Sequence, residues 1–539
     1  MERRLIALRK SVLHNPESAL SREWRVTNGA GGYASSSCIG ANTRRYHGLL
    51  VASFPPPLER QVVLSKVDET LLLGREVFRL GTNEYHDGTI DPRGHLLMRE
   101  FRLELGIPTW EYRAGGAVLT RRVWMERWSN TVYLLYRLEG KFDGPAALRV
   151  RPFCAFRGYH GEGRRTEGFG FERGVGLVVT SSGAPYSLSI FPTPGGAFDP
   201  GEDWYLAFLH RVERDRGFDC LEDLYTPGEL VFSLSAGESA GLTASCEESG
   251  IETDLERAYE REIGRRGALV GMERRAFRRE LVLAADQFVT GDRARSEHPS
   301  SAASVVAGYH WFTDWGRDTM ISFPGLFLST GRFREARELL LRYAEHADHG
   351  MLPNRIDDRG RMEFNTADVT LWFFHAVRAY IEVSGDREVV TRLLPVLAEI
   401  LECHLAGTRF GIRADVADGL LRAGRAGTQL TWMDARVDGR AVTPRIGKPV
   451  EINALWYNAL RSMAEWSPMP DAWTVAAEKC RRGFERFRNT DTGCLYDVVD
   501  GPGGDDPSVR PNQIFAVSLP CSPLDREWQR SVVDTVERE

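Results

Sequence analysis

Four stretches of this 539-residue chain hold more carboxylate, guanidinium and aromatic side chains than packing requires. In Gly308-Tyr-His-Trp-Phe-Thr-Asp-Trp-Gly-Arg-Asp-Thr319, Trp311 and Trp315 stand beside Arg317 and Asp318. Indole faces cover the apolar C–H face of a pyranose, carboxylates accept from its hydroxyls, and a guanidinium donates to them in a fixed fork. The same residues could instead form a buried Arg–Asp pair at a helix start, with Asp318 favoured by the helix dipole. In Thr428-Gln-Leu-Thr-Trp-Met-Asp434, the carboxyl of Asp434 sits beside Trp432 and Met433. A partly apolar setting disfavours the charged form, as a general acid needs, although a lone Asp is as readily a solvated loop residue. In Thr443-Pro-Arg-Ile-Gly-Lys-Pro-Val-Glu-Ile-Asn-Ala-Leu-Trp-Tyr-Asn458, Pro449 can open a helix, which puts Glu451 in its first turn. Asn458 then lies seven residues further along the same face. By itself, Lys448 with Glu451 reads as a first-turn ion pair. The fourth stretch is Glu23-Trp-Arg-Val-Thr-Asn-Gly-Ala-Gly-Gly-Tyr-Ala-Ser35, followed by Ala41-Asn-Thr-Arg-Arg-Tyr-His-Gly48. Its glycines permit a close-approach backbone, and its polar residues supply donors.

Other chemistries fit less well. Gly29 to Ala34 matches a loose dinucleotide loop, but no βαβ unit surrounds it, so a Gly-rich turn between strands is the plainer reading. Gly237-Glu-Ser-Ala-Gly241 has the form of a serine-hydrolase elbow, yet strand-like alternation follows it where a helix is needed. His346 and His349 lack the H-E-x-x-H context. The eight cysteines form no C-x-x-C pair, which argues against a zinc cage and suits free thiols in a reducing cytoplasm. No cofactor and no metal is expected. The residues from Met1 to Glu23 have no continuous apolar core of a secretory signal, and no run of 18 apolar residues occurs. A net charge of -6 disfavours nucleic acid or an anionic membrane as partner and leaves a neutral ligand as the better fit.

The elements that must position these stretches change character midway. His95 to Leu105, Thr131 to Leu138, Ala147 to Phe153 and Gly176 to Thr180 alternate or are rich in β-branched and aromatic residues. Gly and Pro turns punctuate them, as in an antiparallel sandwich. Residues 1–250 therefore read as a β-domain. Residues 251–274 are charged and helical in composition, and read as a linker. From residue 275 the period is helical. Phe333, Ala336, Leu340, Tyr343 and Ala347 make one apolar stripe, whereas Val369 to Tyr380 is apolar almost all round. Arg387 to Leu405, Val450 to Trp466 and Asp525 to Glu537 follow. Alternating amphipathic and fully apolar helices suit a two-layered helical barrel. About nine helical segments are counted where a closed toroid of six hairpins needs twelve.

Taken together, these strings resemble the glycogen debranching enzymes of bacteria and archaea, the amylo-α-1,6-glucosidase family. Glu23-Trp24, Thr27-Asn-Gly29, Gly31-Gly-Tyr33 and Asn42-Thr-Arg-Arg-Tyr-His-Gly48 look like its N-terminal domain. Trp315-Gly-Arg-Asp-Thr319, Pro353-Asn354, Asn365-Thr-Ala-Asp368, Thr431-Trp-Met-Asp434, Pro449-Val-Glu-Ile-Asn453 and Arg510-Pro-Asn-Gln513 look like its catalytic domain. The resemblance implies an N-terminal antiparallel β-supersandwich and an (α/α)6 toroid over 275–539, incomplete at its C-terminus. It implies hydrolysis of α-1,6-linked glucose at the branch points of glycogen or a limit dextrin in the cytoplasm, with inversion by two carboxyls about 6.5–9.5 Å apart. On this pattern Asp434 is the general acid, and Arg317 and Asp318 grip the terminal glucose. Trp311, Trp315 and Trp432 wall the pocket, and Asn365, Asp368, Lys448 and Glu451 complete the substrate shell. The pattern expects the base in a further segment with a string like His-Gln-Gly-Thr-Val-Trp-Pro-Trp, which is absent here. The chain is then a fragment, unless Glu451 or Asp368 substitutes. Rival readings are an inverting phosphorylase or trehalase-like toroidal enzyme, and a non-catalytic glucan-binding protein.

Overall fold

A computed structural model describes residues 6–55, 58–174, 176–291, 304–357 and 360–539. The chain divides into two compact units. The first comprises Met1–Pro299 with Gly308–Trp311, and the second comprises Ser300–Ala307 with Phe312–Glu539.

The first unit is built on two antiparallel sheets. One runs Ala7–Arg9, Met98–Glu104, Ile107–Ala114, Ala117–Met125, Thr131–Gly140, Ser239–Ser245, Leu188–Pro192, Leu177–Ser181, Phe169–Arg173. The other runs Ala197–Leu209, Leu221–Leu234, Ala146–Gly158, Gln61–Leu73, Gly48–Ala52, Tyr33–Ser37, Glu23–Thr27. A single buried cluster draws Trp24, Val26 and Leu50 from the second sheet and Phe101, Trp110 and Leu119 from the first, so the sheets share one core. Alternation is what buries one face of each strand. In Ala117–Met125, Ala117, Leu119 and Val123 turn inward. The strand expected from His95 begins at Met98, because Gly94–Leu97 winds into a 3-10 turn.

Both doubtful motifs resolve into turns. Gly29 and Gly31 take φ of 74° and 91°, and Asn28 Oδ1 accepts from the Ala30 and Gly32 N–H groups. This closes the connection between the two strands Glu23–Thr27 and Tyr33–Ser37. Ser239 opens a strand rather than a helix, so Gly237–Gly241 is no nucleophile elbow.

Residues 251–274 do not form a free linker. The helix Leu255–Val270 lays Leu255 and Ala258 against Ile107, Trp124, Tyr133 and Leu135. Arg266 also donates to the Leu105 carbonyl at 3.1 Å. The helix Ala276–Phe288 likewise groups with the first unit, which moves the boundary past 275. The charge and helical composition of 251–274 suggested a helical linker, but Ala258, Glu262, Arg266 and Val270 are buried at every fourth position, and that stripe is what docks.

The first unit also buries charge. Glu222 meets the Arg157 guanidinium and lies 3.4 Å from His210 Nε2. Burial alone would raise its pKa, but Arg157 and His210 outweigh that and hold it at about 2, against an ordinary 4.5. A depressed carboxyl stabilises the fold above its unfolded pKa and loses that contribution as pH falls toward the folded value. Glu222 should therefore contribute about 3 kcal/mol at neutral pH, lost between about pH 4.5 and 2. In urea unfolding at pH 3 and pH 6, Glu222→Gln should flatten the difference seen in the native chain.

In the second unit, Val450–Trp466 is buried along most of its length, and Val369–Ser384 is buried on nearly every side up to Val377 and opens to solvent at its C-terminal turn. Phe333–Glu345 and Asp471–Gly483 bury one stripe each. Glu388–Ala406 and Arg526–Arg538 lie within a residue of the expected spans, and Asp525 caps the latter by accepting from the Trp528 N–H. Long loops and two-residue hairpins occupy the stretch between Ala406 and Val450, and they carry Asp434.

Candidate active site

The site is organised around Arg317, the second residue of the helix Gly316–Phe323. The strand before it, Asp314–Trp315, pairs with Arg355–Ile356, which pairs with Met362–Glu363. Gly316 makes the turn into the helix possible. A Cβ there would lie 2.4 Å from the Pro353 carbonyl oxygen and 2.8 Å from Val369. Its N–H donates to the Asn354 carbonyl at 2.8 Å. Asp314, two residues earlier, accepts hydroxyl hydrogen bonds from Ser304, Thr319 and Tyr343 and pins the strand from below.

Arg317 uses three nitrogens. Nε donates to Asp368 Oδ2 at 2.7 Å, Nη1 to Asp434 Oδ2 at 2.9 Å, and Nη2 to the Thr431 carbonyl at 3.1 Å. Asp368 stands at the N-cap of Val369–Ser384, yet its side chain does not cap that helix, because Arg317 takes it. The loop bearing Asp434 is tied in by Ala367 N–H donating to the Leu430 carbonyl at 2.8 Å. Asn365 accepts from Asn354 Nδ2 at 3.0 Å and donates to Glu363.

The side chains grade from interior to solvent. Asp368 is 3% exposed, Arg317 12% and Asp434 38%. Burial pushes the Asp318 carboxyl above its ordinary pKa. Arg317 opposes this, and the nearby charges of Asp368 and Asp434 add to it. Three carboxyls thus gather around one guanidinium. Such a site is rich in acceptors and short of free donors. It suits a neutral ligand that brings hydroxyl hydrogens, and a cation that develops as a bond breaks. Trp432 and Phe312 are exposed in this unit, and the Trp315 ring meets Phe312 edge-on at 5.5 Å.

Of the residues singled out, the structure brings Arg317, Asp318, Asp368 and Asp434 together, with Asn365 hydrogen-bonded to Asn354. Trp311 falls in the first unit, where its ring neighbours are Arg44, Tyr46 and His310. Lys448 and Glu451 are a correction. They do not pair with each other, and both heads are committed to protein partners. Lys448 Nζ is fully buried and donates to Asp415, Asp418 and Asp500 at 2.9, 2.7 and 2.7 Å. Those three carboxylates could otherwise hold a cation, but the ammonium occupies their centre. Glu451 is buried and clasped by both terminal nitrogens of Arg445 and by Asn512 Nδ2. It has no open face from which to activate water. A polar string reads alike whether its groups face substrate or each other, and only the partners Asp415, Asp497 and Asp500, distant in sequence, tell the two apart. The pair Asp415-x-x-Asp418 was a visible signal for the Lys448 cluster, although nothing linked it to Lys448.

The fold, an N-terminal β-rich unit followed by helices, is similar to that of a bacterial glucoamylase. A crystal structure of bacterial glucoamylase complexed with acarbose matches 96% of this chain and 77% of its own, with a TM-score of 0.52 at 10% identity, a likeness of fold alone. Residues 22–241 match the family model described as glycogen debranching enzyme N terminal, and residues 283–539 match that of amylo-alpha-1,6-glucosidase. The chain belongs to the glycogen debranching enzyme family. The glycogen debranching enzyme of Saccharomyces cerevisiae is 28% identical over 249 residues, a match that covers 35% of this chain and 16% of the yeast protein. This chain therefore spans well under a fifth of the length of that relative.

Proposed function

We propose that this chain is a glycoside hydrolase that releases α-1,6-linked glucose from branch points of glycogen or a related α-glucan, with Asp434 as the general acid and inversion at the anomeric carbon. The observation that carries this reading is the clamp of Arg317 on Asp368 and Asp434, with Asp434 more than a third exposed. Arg317 fixes one oxygen of Asp434 and leaves the other to face a leaving-group oxygen. Asp318, exposed in the first helical turn, accepts from hydroxyls of the terminal glucose, and Trp315 and Trp432 wall the sugar. The surplus of carboxylates favours an oxocarbenium-like transition state and disfavours a phosphate nucleophile, which separates hydrolysis from phosphorolysis. The helical unit is then the (α/α)6 toroid of such enzymes and the β-unit its supersandwich. No helix among the described residues is long and apolar enough to cross a membrane. The eight cysteines are all free, in keeping with a cytoplasmic site of action.

Glucose release from a branched limit dextrin tests the reading. Asp434→Asn should lower kcat about 10²- to 10⁴-fold with KM little changed, because the amide keeps a hydrogen bond to Arg317 but cannot give up a proton in the same way. Undiminished release by that variant would remove Asp434 from the acid role.

A further inference from the structure

We propose that the hairpin of Arg436–Val437 with Arg440–Ala441, which follows Asp434 in the chain, receives the glucan chain that carries the branch, and that Val437 and Val442 set a preference for a branched glucan over a small glucoside. The inference rests on the reading of Asp434 as the general acid.

The hairpin is fixed by its own sequence. Asp438 and Gly439 both take left-handed φ, 50° and 75°, as a two-residue type I′ turn requires, and Asp-Gly is a pair that favours it. Val437 pairs with Arg440 and Arg436 with Ala441, and the Val442 N–H extends the ladder by donating to the Ala435 carbonyl at 3.0 Å. Its foot is tied down. Arg436 Nη2 donates to the Gly427 carbonyl at 3.2 Å, and Arg445, a few residues on, is locked between Glu451 and Asp497.

Opposed residues of an antiparallel pair share a face, and successive residues alternate between faces. Ala435, Val437, Arg440 and Val442 therefore lie on one face of the ribbon, with Arg436 and Ala441 on the other. Val437 is 63% exposed and Val442 59%, and Ala435 is exposed as well. Exposed valines are ordinary when scattered singly. Here the three apolar residues of one face all stand open, on a two-stranded ribbon of the kind that gains stability by packing such a face.

The chemistry beside the ribbon says what covers it. A general acid protonates the oxygen of the departing group, so it stands on the side to which that group leaves. For an α-1,6 stub the departing oxygen belongs to a glucosyl unit inside the main chain. Ala435 is the residue next to Asp434, and Val437 stands three residues on, roughly 10 Å in extended chain. The main chain of a branched glucan reaches that far, and the aglycone of a small glucoside does not. Aliphatic side chains cover the C–H faces of its rings, and the Arg440 guanidinium donates to its hydroxyls. A turn already fixed in shape loses little freedom when the chain settles on it.

Calorimetric titration of Asp434→Asn, which keeps the clamp without turning the probe over, tests this with two ligands. Maltotetraose bearing one α-1,6-glucosyl stub has a main chain that reaches the ribbon. 1-Deoxynojirimycin, a cationic glucose mimic, has none and reports on the carboxylates around Arg317. Adding Val437→Ser with Val442→Ser should weaken binding of the branched probe about tenfold and leave 1-deoxynojirimycin binding unchanged. Val437→Ile with Val442→Ile keeps the apolar face and should keep the affinity. Unchanged affinity for the branched probe after Val437→Ser with Val442→Ser, or parallel loss of both ligands, overturns the inference. A dimer of the parent, seen by sedimentation and dissolved by the same double substitution, assigns the face to a second copy and overturns it too. If the parent binds 1-deoxynojirimycin but not the branched probe, the inference falls and the hydrolase reading stands. If it binds neither, both fall.

Discussion

Arg317→Met is expected to lower the unfolding free energy by about 3–5 kcal/mol and to remove glucose release altogether, because it strips the cation from a carboxylate that cannot reach water. Asp368 is 3% exposed and meets Arg317 at 2.7 Å, and its second oxygen, Oδ1, is buried without a hydrogen-bond partner. Without the guanidinium its charge is left uncompensated, and the loop at Thr431 loses its tie to the helix at Gly316. A double-mutant cycle separates the two effects. Arg317→Met with Asp368→Asn should recover much of the stability, since a neutral amide needs no cation, but no activity, since Asp434 is still unanchored. Urea unfolding and a glucose-release assay read the two quantities. Full stability in Arg317→Met alone would show that the clamp is not what holds the loop.

Arg445→Met should destabilise the second unit by a similar amount, about 3–5 kcal/mol, without any specific effect on substrate binding by the protein that remains folded. Arg445 and Asp497 are each 1% exposed, and Glu451 is 4%. Arg445 donates to Asp497 through Nε at 2.8 Å and Nη2 at 2.7 Å while gripping Glu451, and Arg510 reaches Asp497 at 2.5 Å. Arg445 also takes φ of 42°, a left-handed conformation that a side chain adopts only when its surroundings insist. Glu451→Gln, at the same node, keeps the shape and the Asn512 contact and should cost less. Thermal unfolding with and without 1-deoxynojirimycin distinguishes the roles. A variant that loses stability yet keeps the full ligand-induced rise in Tm marks the network as scaffold, and a lost rise would return Glu451 to the substrate shell.

The two networks show why the candidate site was only partly legible. Arg317 and Asp318 are adjacent in the chain, and Asp434 follows Trp432 closely, so local composition marked both. What joins Arg317 to Asp434 is a bond across 117 positions, which no periodicity reports. Lys448 and Glu451 sit in a string as suggestive as either, and the structure turns both inward: the Lys448 partners and Asn512 arrive from hairpins and loops 30 or more positions away, and Arg445, in the same string as Glu451, is itself held by Asp497. Glu23, His47 and His310, which gather in the first unit, are a case of the same kind. Each residue lay in a flagged segment, and 263 positions separate His47 from His310.

By itself the sequence determined the period of each segment. Alternation made the first unit a pair of sheets, and the apolar stripes made Val369–Ser384 and Val450–Trp466 buried helices, because a strand or helix must hide the face its side chains form. It also determined the polar strings from which any site had to be drawn. Tertiary structure decided which charges face each other. Whether a carboxylate meets solvent, a guanidinium or an ammonium depends on chain segments brought together by burial of apolar surface elsewhere, and the energy of that burial is indifferent to the polar pairings it imposes. For that reason Asp434 remained half-open beside Arg317 while Glu451, equally acidic and in an equally marked string, was locked away.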